Sequence, residues 1–193
     1  MTVPDARTRV LEAAVELFAD HGFDGTSVAQ VITRAGVAKG GFYHHFASKE
    51  QLLYEVYGDL IGRQLADMEA ILARGDGAAA TLRALILDLV ETTAASARPA
   101  LVFARELNRL GDERTREYRR ARRRYHDAVR KLIRDGQAAG EFTAAAGADT
   151  VTFMIFGFVN ELPLWFRPTG RKRPAQLGAE LADLVLAALG VRA

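Results

Sequence analysis

Between Thr26 and Lys49 the chain can fold in few ways, because a single glycine at Gly36 separates two short amphipathic runs. The first run predicts a helix from about Val28 to Arg34, N-capped by Thr26 or Ser27, either of which offers a side-chain oxygen to an orphan backbone N–H. Val28, Val31 and Ile32 share one face of it at helical spacing. Ala35-Gly36-Val37 is the turn: glycine tolerates the positive φ that a sharp reversal needs, and Val37 fills the angle between the helices. The second run, about Ala38 to His44, turns Lys39, Gly40, Gly41 and His44 outward and leaves Phe42 and Phe46 for the core. Ser48 then caps a further helix. Two short helices, a tight turn and a capped third helix form the helix-turn-helix layout, which sets its second helix in the DNA major groove. Small outward residues let such a helix sit deep against base edges.

The remainder reads as helix throughout, giving an all-α chain of nine helices without a strand. Helix one spans about Asp5 to His21 and stops at Gly22. Helix four runs from Ser48 to about Arg74 and is broken by Gly75-Asp-Gly77. Helices five to seven cover about Ala78 to Ser96, Pro99 to Leu110 and Asp112 to Ala139. Helix eight covers about Gly147 to Phe166, and helix nine about Pro174 to Leu189. We expect residues 1–47 to form the helix-turn-helix domain and residues 48–193 a ligand-binding and dimerisation domain. Helix eight is apolar nearly all round, from Val151 and Phe153 to Trp165 and Phe166, so it must be covered on every side. Helix nine carries a second stripe of Leu177, Leu181, Leu184, Val185 and Ala188. Two such helices predict a self-complementary patch, two from each subunit of a homodimer. The alternative is that both stripes are intrachain core.

Composition narrows the function classes. With no cysteine among 193 residues, disulfides, thiolate zinc sites and cysteine nucleophiles are excluded together. His44 and His45 are adjacent, pointing about 100° apart on a helix, and do not share a metal. Neither metal nor cofactor is expected. The most apolar segment, Val151 to Phe166, is interrupted by Asn160, Glu161 and Pro163 and is shorter than the about 20 apolar residues a membrane span takes. No signal peptide is visible, so a cytoplasmic protein is expected. Serines are few and none stands in a nucleophile elbow, nor is there a phosphate-cradling glycine loop. No enzyme is expected. The net charge of +2 does not itself point to DNA, and residues 1–50 are slightly acidic. Affinity for DNA therefore has to come from the placement of cations and N–H groups on one face.

Helix seven is rich in arginine, including Arg119, Arg120, Arg122, Arg123 and Arg124. These read as a solvated face, or alternatively as a site for an anionic ligand or DNA backbone, since a guanidinium donates two hydrogen bonds to a phosphate. Tyr118 and Tyr125 on the same helix point inward. The surplus of aromatic side chains on helices five to eight predicts an apolar effector, lined by Phe103, Tyr125, Phe156, Asn160 and Trp165.

Thr26-Ser-Val, Ala35-Gly-Val-Ala-Lys-Gly, Phe42-Tyr-His-His-Phe and Ser48-Lys-Glu-Gln-Leu resemble the N-terminal domain of the TetR family of bacterial transcriptional repressors. The match is tight over residues 7–57. It departs from the usual pattern at Val31-Ile32 and Gly41-Phe42, which bears on base contacts and not on the fold. The resemblance implies a homodimer held by helices eight and nine on double-stranded operator DNA. It implies further that Ser27, Tyr43 and Lys49 hold phosphates while Lys39, Gly40, Gly41 and His44 approach base edges. Trp165-Phe-Arg-Pro-Thr-Gly170 resembles a segment of TetR-like regulators of lipid and sterol breakdown, whose inducers are acyl-coenzyme A thioesters. The function expected is a repressor released by a small apolar inducer, with a fatty acyl-coenzyme A as one candidate. The alternative is a small-molecule carrier that uses the helix-turn-helix as scaffold.

Overall fold

The computed structural model describes residues 4–106, 111–143, 146–167 and 170–191, apart from the side chains of residues 57, 59, 103–106, 111 and 112. Among the described residues there are nine helices and no strand: α1 (Ala6–His21), α2 (Val28–Ala35), α3 (Lys39–His45), α4 (Lys49–Leu72), α5 (Ala78–Ala95), α6 (Ala97–Glu106), α7 (Gly111–Ala138), α8 (Ala148–Trp165) and α9 (Pro174–Ala188). The expected helix ends that fall on described residues agree with these to within about two residues. Helix α6 begins two residues before Pro99, and residues 107–110 of its expected C-terminal end lie outside the described residues.

The described chain divides into two compact units, 1–60 with 98–118, and 61–97 with 119–193. Helices α4 and α7 each contribute to both, so packing does not divide the chain at a single point in sequence.

In the first unit, Asp5 accepts the Thr8 N–H at 2.7 Å and starts α1, which buries Val10, Ala13, Ala14 and Phe18. Gly22 ends it. The Thr26 hydroxyl is buried and donates to the carbonyls of Leu17 and Gly22 at 3.1 and 2.9 Å, tying the loop back to α1. Ser27, not Thr26, is the N-cap of α2, in a reciprocal capping box with Gln30. Gly36 sits in the left-handed region at φ 61, ψ 40, where a β-carbon would be strained. Its carbonyl accepts from the Arg9 guanidinium at 3.2 Å. Phe42 and Phe46 are fully buried, in ring contact 5.7 Å apart, and anchor α3.

In the second unit the core is built from α5 (Leu82, Leu85, Ile86, Leu89), α7 (Tyr125, Val129, Ile133), α8 (Val151, Ile155, Val159, Leu162) and α9 (Leu181, Ala182, Val185). Helices α5 and α9 approach closely because Gly178 has no side chain. A β-carbon there would meet the Leu87 Cα at 3.3 Å and the Val90 Cβ at 3.4 Å. Glu141 caps α5 through the Ala78 N–H at 2.8 Å. Asp149 at the start of α8 pairs with Arg130 at 2.7 Å and Arg134 at 2.9 Å.

Candidate nucleic-acid interface and interior polar groups

The surface of α3 is set by what lies beneath it. Phe42 and Phe46 fix its inner side, so the 100° spacing turns Lys39, Gly40, Tyr43 and His44 outward. All four are exposed and Gly41 is half-buried. Tyr43 is 50% exposed, unusual for an aromatic ring that a neighbouring phenylalanine already contacts edge-on at 5.2 Å. A β-carbon at Gly40 or Gly41 would meet nothing, so both glycines leave open space on the surface and are not demanded by packing. Two carboxylates of the same unit are engaged: Glu16 accepts from Arg34 at 2.7 Å, and Glu55 from Arg7 at 2.7 Å. Lys39 has no ion pair among the described residues, which leaves its charge outward.

Two expected phosphate ligands have other work in this structure. The Ser27 hydroxyl accepts from the Gln30 N–H at 3.2 Å and donates to the Gln30 Oε1 at 2.9 Å. Lys49 is engaged more strongly. Its ammonium donates to the carbonyls of Phe23 and Thr26 at 2.7 and 2.8 Å and stands 4.2 Å from the Phe23 ring centre. The Phe23 carbonyl also accepts the Thr26 N–H at 3.3 Å, so the partly buried cation adds a charged donor to a loop that is already turned on itself. Lys49 thus braces the loop that delivers Ser27.

The five residues expected to line an effector site separate. Tyr125 and Phe156 are buried together, ring centres 5.5 Å apart and edge-on, with His126 stacked on Phe156 at 3.6 Å. Asn160 and Trp165 are exposed, which corrects the expectation that they face the interior. The register of α8 decides this: Val151, Ile155, Val159, Leu162 and Phe166 take the inward face, and Asn160 and Trp165 fall opposite. The Phe103 side chain lies outside the described residues. Helix α9 shows the same sorting, with Leu181 at 6% exposure in the intrachain core and Leu184 at 68%. The expected inward positions of Tyr118 and Tyr125 are observed.

One group was missed from sequence. Asp88 is a lone carboxylate within the apolar run Leu85-Ile-Leu-Asp-Leu-Val of α5, a signal open to anyone reading for polar interruptions. Its Oδ2 is buried without a partner, as is the Tyr125 hydroxyl. Burial first, then the charges of Asp67 and Glu91, push the Asp88 carboxyl up to about 6. Burial also raises the Tyr125 phenol above its ordinary value, assisted by Asp88 and Asp67, and keeps it protonated. The His126 imidazole is pushed down to about 4 by burial and by Arg122 and Arg130, so it is neutral at pH 7. Among the described residues no group of histidine and carboxylate side chains could hold a metal ion, and no helix is long and apolar enough to cross a membrane.

An all-helical chain with a buttressed helix-turn-helix is a DNA-binding regulator by class, and the comparisons carry this further. Residues 10–56 match the family described as bacterial regulatory proteins, tetR family, and residues 75–189 match the tetracyclin repressor-like, C-terminal domain. The chain belongs to the TetR family of bacterial transcriptional repressors. It is 26% identical over 181 residues to the HTH-type transcriptional repressor KstR2 of Mycolicibacterium smegmatis, covering 93% of this chain and 88% of that protein. The solved structure of the ketosteroid transcriptional regulator KstR2 of Mycobacterium tuberculosis superposes with a TM-score of 0.86 at 24% identity, covering 97% of this chain and 96% of that one. AibR, solved in complex with isovaleryl coenzyme A and operator DNA, gives a TM-score of 0.79 at 20% identity over 94% of this chain and 98% of that one. The relatives are transcriptional repressors and regulators, not enzymes.

Proposed function

We propose that the chain binds a near-palindromic operator as a homodimer and is released from it by an apolar effector held in the second unit. The observation that carries the DNA reading is the outer face of α3, where Lys39, Gly40, Tyr43 and His44 are exposed over a fully buried Phe42. On this reading Lys39, Gly40, Gly41 and His44 meet base edges. Tyr43 and Ser27 hold phosphates, Ser27 by exchanging its capping bond, and Lys49 holds the loop in place. Half-site centres then lie roughly 10 base pairs, or a multiple, apart.

The homodimer is supported by the outward stripe of α8, where Phe153 is 62% and Leu164 54% exposed beside Met154 and Trp165, together with Leu184 of α9. A second copy covers this stripe, and Asn160 and Glu161 lie on the same face. The effector acts by population shift: it favours the dimer state whose two recognition helices are wrongly spaced for successive major grooves. The isovaleryl coenzyme A of AibR supports an acyl-type effector, and the ketosteroid link of KstR2 supports an apolar one.

Gel-shift titration of the full chain on the DNA upstream of its own gene tests the reading, with a fatty acid, its coenzyme A thioester and coenzyme A alone as competitors. The expected result is retardation of a specific duplex and release by the thioester or the acid. Retardation that no lipid extract relieves overturns the effector half, and equal affinity for a scrambled duplex overturns the operator half.

A further inference from the structure

Several glycines of this chain have a reason within the fold. Gly36 takes the left-handed backbone of the turn, and at Gly136 and Gly178 a β-carbon would meet the Phe142 ring at 2.5 Å and the Leu87 Cα at 3.3 Å. Gly40 and Gly41 have neither reason. Both lie inside the seven-residue α3, neither adopts a positive φ, and a β-carbon at either would meet nothing among the described residues within 4 Å. Helix formation opposes both, because glycine loses more backbone freedom on folding than alanine does. Open glycines also occur singly, at Gly62 of α4 and Gly157 of α8, but in helices of 24 and 18 residues one glycine weighs little. Two in a helix of seven residues weaken it without any contact among the described residues to explain them.

We propose that Gly40 seats the 5-methyl group of a thymine in the major groove, while Gly41 lets the helix backbone lie close beside it, so that the pair selects thymine at one position of each half-site. The proposal rests on the operator reading above and specifies the base that this face selects. Gly40 brings no side-chain donor or acceptor to the groove, and the base-edge feature that asks for none is the thymine methyl. Guanine, adenine and cytosine present hydrogen-bonding groups that an apolar seat leaves unpaired. The walls of the seat belong to the same helix. Tyr43 at i+3 and His44 at i+4 are the neighbours of Gly40 on the surface of α3, and both are exposed. The Tyr43 ring stands edge-on to the buried Phe42 at 5.2 Å, which sets an aromatic side next to a position without a side chain. A β-carbon at Gly40 would fill the volume that the methyl takes. Alanine there is therefore harmless to the fold and harmful to thymine recognition, a combination that a structural glycine does not give.

The test exchanges one methyl group on each side of the contact. The probe is the shortest duplex from the DNA upstream of its own gene that the full chain retards specifically, with deoxyuridine replacing thymidine at one dyad-related pair of positions at a time. Uracil lacks the methyl and keeps every hydrogen-bonding group of thymine. At one pair the exchange should weaken the parent by about fourfold, the worth of one methyl group removed from water, and at the other pairs it should leave affinity unchanged. Gly40→Ala should melt no lower than the parent. It should bind the thymine duplex about tenfold more weakly, as a mismatched base pair does, and recover most of that loss on the duplex with uracil at the sensitive pair. A parent indifferent to uracil at every pair overturns the proposal. So does a loss in Gly40→Ala that uracil does not relieve, which would report DNA shape and not the methyl. Unaltered binding by Gly40→Ala, or a melting temperature well below that of the parent, overturns it too. In each of these cases the specific duplex is still retarded and the operator reading stands, whereas a chain that retards no duplex specifically overturns both.

Discussion

Helices α3 and α8 each bury one face and expose the other, and the contrast lies in what they expose. Under α3 two phenylalanines are sealed, and above them stand a lysine, two glycines, a histidine and a half-exposed tyrosine. Water and a polyanion both suit that surface, so α3 is complete as it is and acquires DNA without needing it to be stable. Helix α8 seals its inner face equally well yet leaves Phe153, Met154, Leu164 and Trp165 in water. Each square ångström of apolar surface later removed from water contributes about 25 cal/mol, so α8 gains from a protein partner. A polar outer face marks a surface used intermittently, and an apolar one marks a surface meant to stay covered.

The sharpest way to break this contrast uses two leucines on one helix. Leu181→Asp sets an unpaired carboxylate in the intrachain core, and the loss of the leucine with the buried charge should cost at least ~5 kcal/mol. Urea denaturation should find that variant largely unfolded. Leu184→Asp, three residues on, should keep the helical circular dichroism of the parent and sediment as a monomer. A folded dimer of the Leu184 variant would remove α9 from the interface.

The next comparison lies within α3. Phe42→Ala opens a cavity under the recognition surface and should destabilise the first unit by about 3–5 kcal/mol. Tyr43→Ala should leave thermal stability within about 0.5 kcal/mol and weaken binding to specific and scrambled duplexes alike. Lys39→Ala should in addition blur base preference, because a base-edge contact is lost and not a phosphate contact. Gel shifts on both duplexes separate the two patterns, and unchanged affinity in both variants would sink the assignment of the face.

Lys49 sharpens the same point with a smaller effect. Replacing it by methionine takes a charged donor from the Thr26 and Phe23 carbonyls and should lower stability by about 2 kcal/mol. Its effect on DNA should follow loosening of the Ser27 loop, so the salt dependence of binding should keep its slope. A slope reduced by about one would return Lys49 to the phosphates.

Most of the architecture was legible because it rests on local signals. Gly22, Gly36 and Gly140 stop helices, Ser27 and Ser48 start them, and a period of 3.6 marks each inner face. What failed was register and reach. Helix α8 is apolar on both sides, so its sequence gives no clue to which side faces inward, and Asn160 and Trp165 were assigned by residue type. Lys49 follows the Ser48 cap, where the resemblance set it against a phosphate, yet its destination depends on two carbonyls about 25 residues earlier, and no spacing rule reports where loop carbonyls point. Asp88 was visible as a charge among leucines, but only packing shows that its oxygen lacks a partner.

The smallest effect concerns the two interior ionisable groups, and its sign can be stated. The folded Asp88 carboxyl holds its proton up to about 6, against a model-peptide value of 3.8, so its contribution to stability is full at low pH and is lost as pH rises from about 4 to 6. His126 does the reverse: neutral when folded down to about 4, against 6.5 unfolded, it loses its contribution as pH falls through that window. The two oppose each other between pH 4 and 6.5, and each masks the other in the parent protein. Asp88→Asn removes the carboxyl and leaves the imidazole. The variant should therefore be more stable than the parent at pH 7 by of order 1 kcal/mol, a figure discounted for a carboxylate that still sees solvent. That advantage should vanish on acidification to pH 4, because the parent then carries a protonated Asp88. Urea midpoints of parent and variant at pH 4, 5.5 and 7 measure it, and since every other carboxylate is common to both proteins, only Asp88 enters the difference. A gap independent of pH would show that Asp88 stays ionised in the fold, and with it that the interior of the second unit is wetter than the fully buried face of α8 implies.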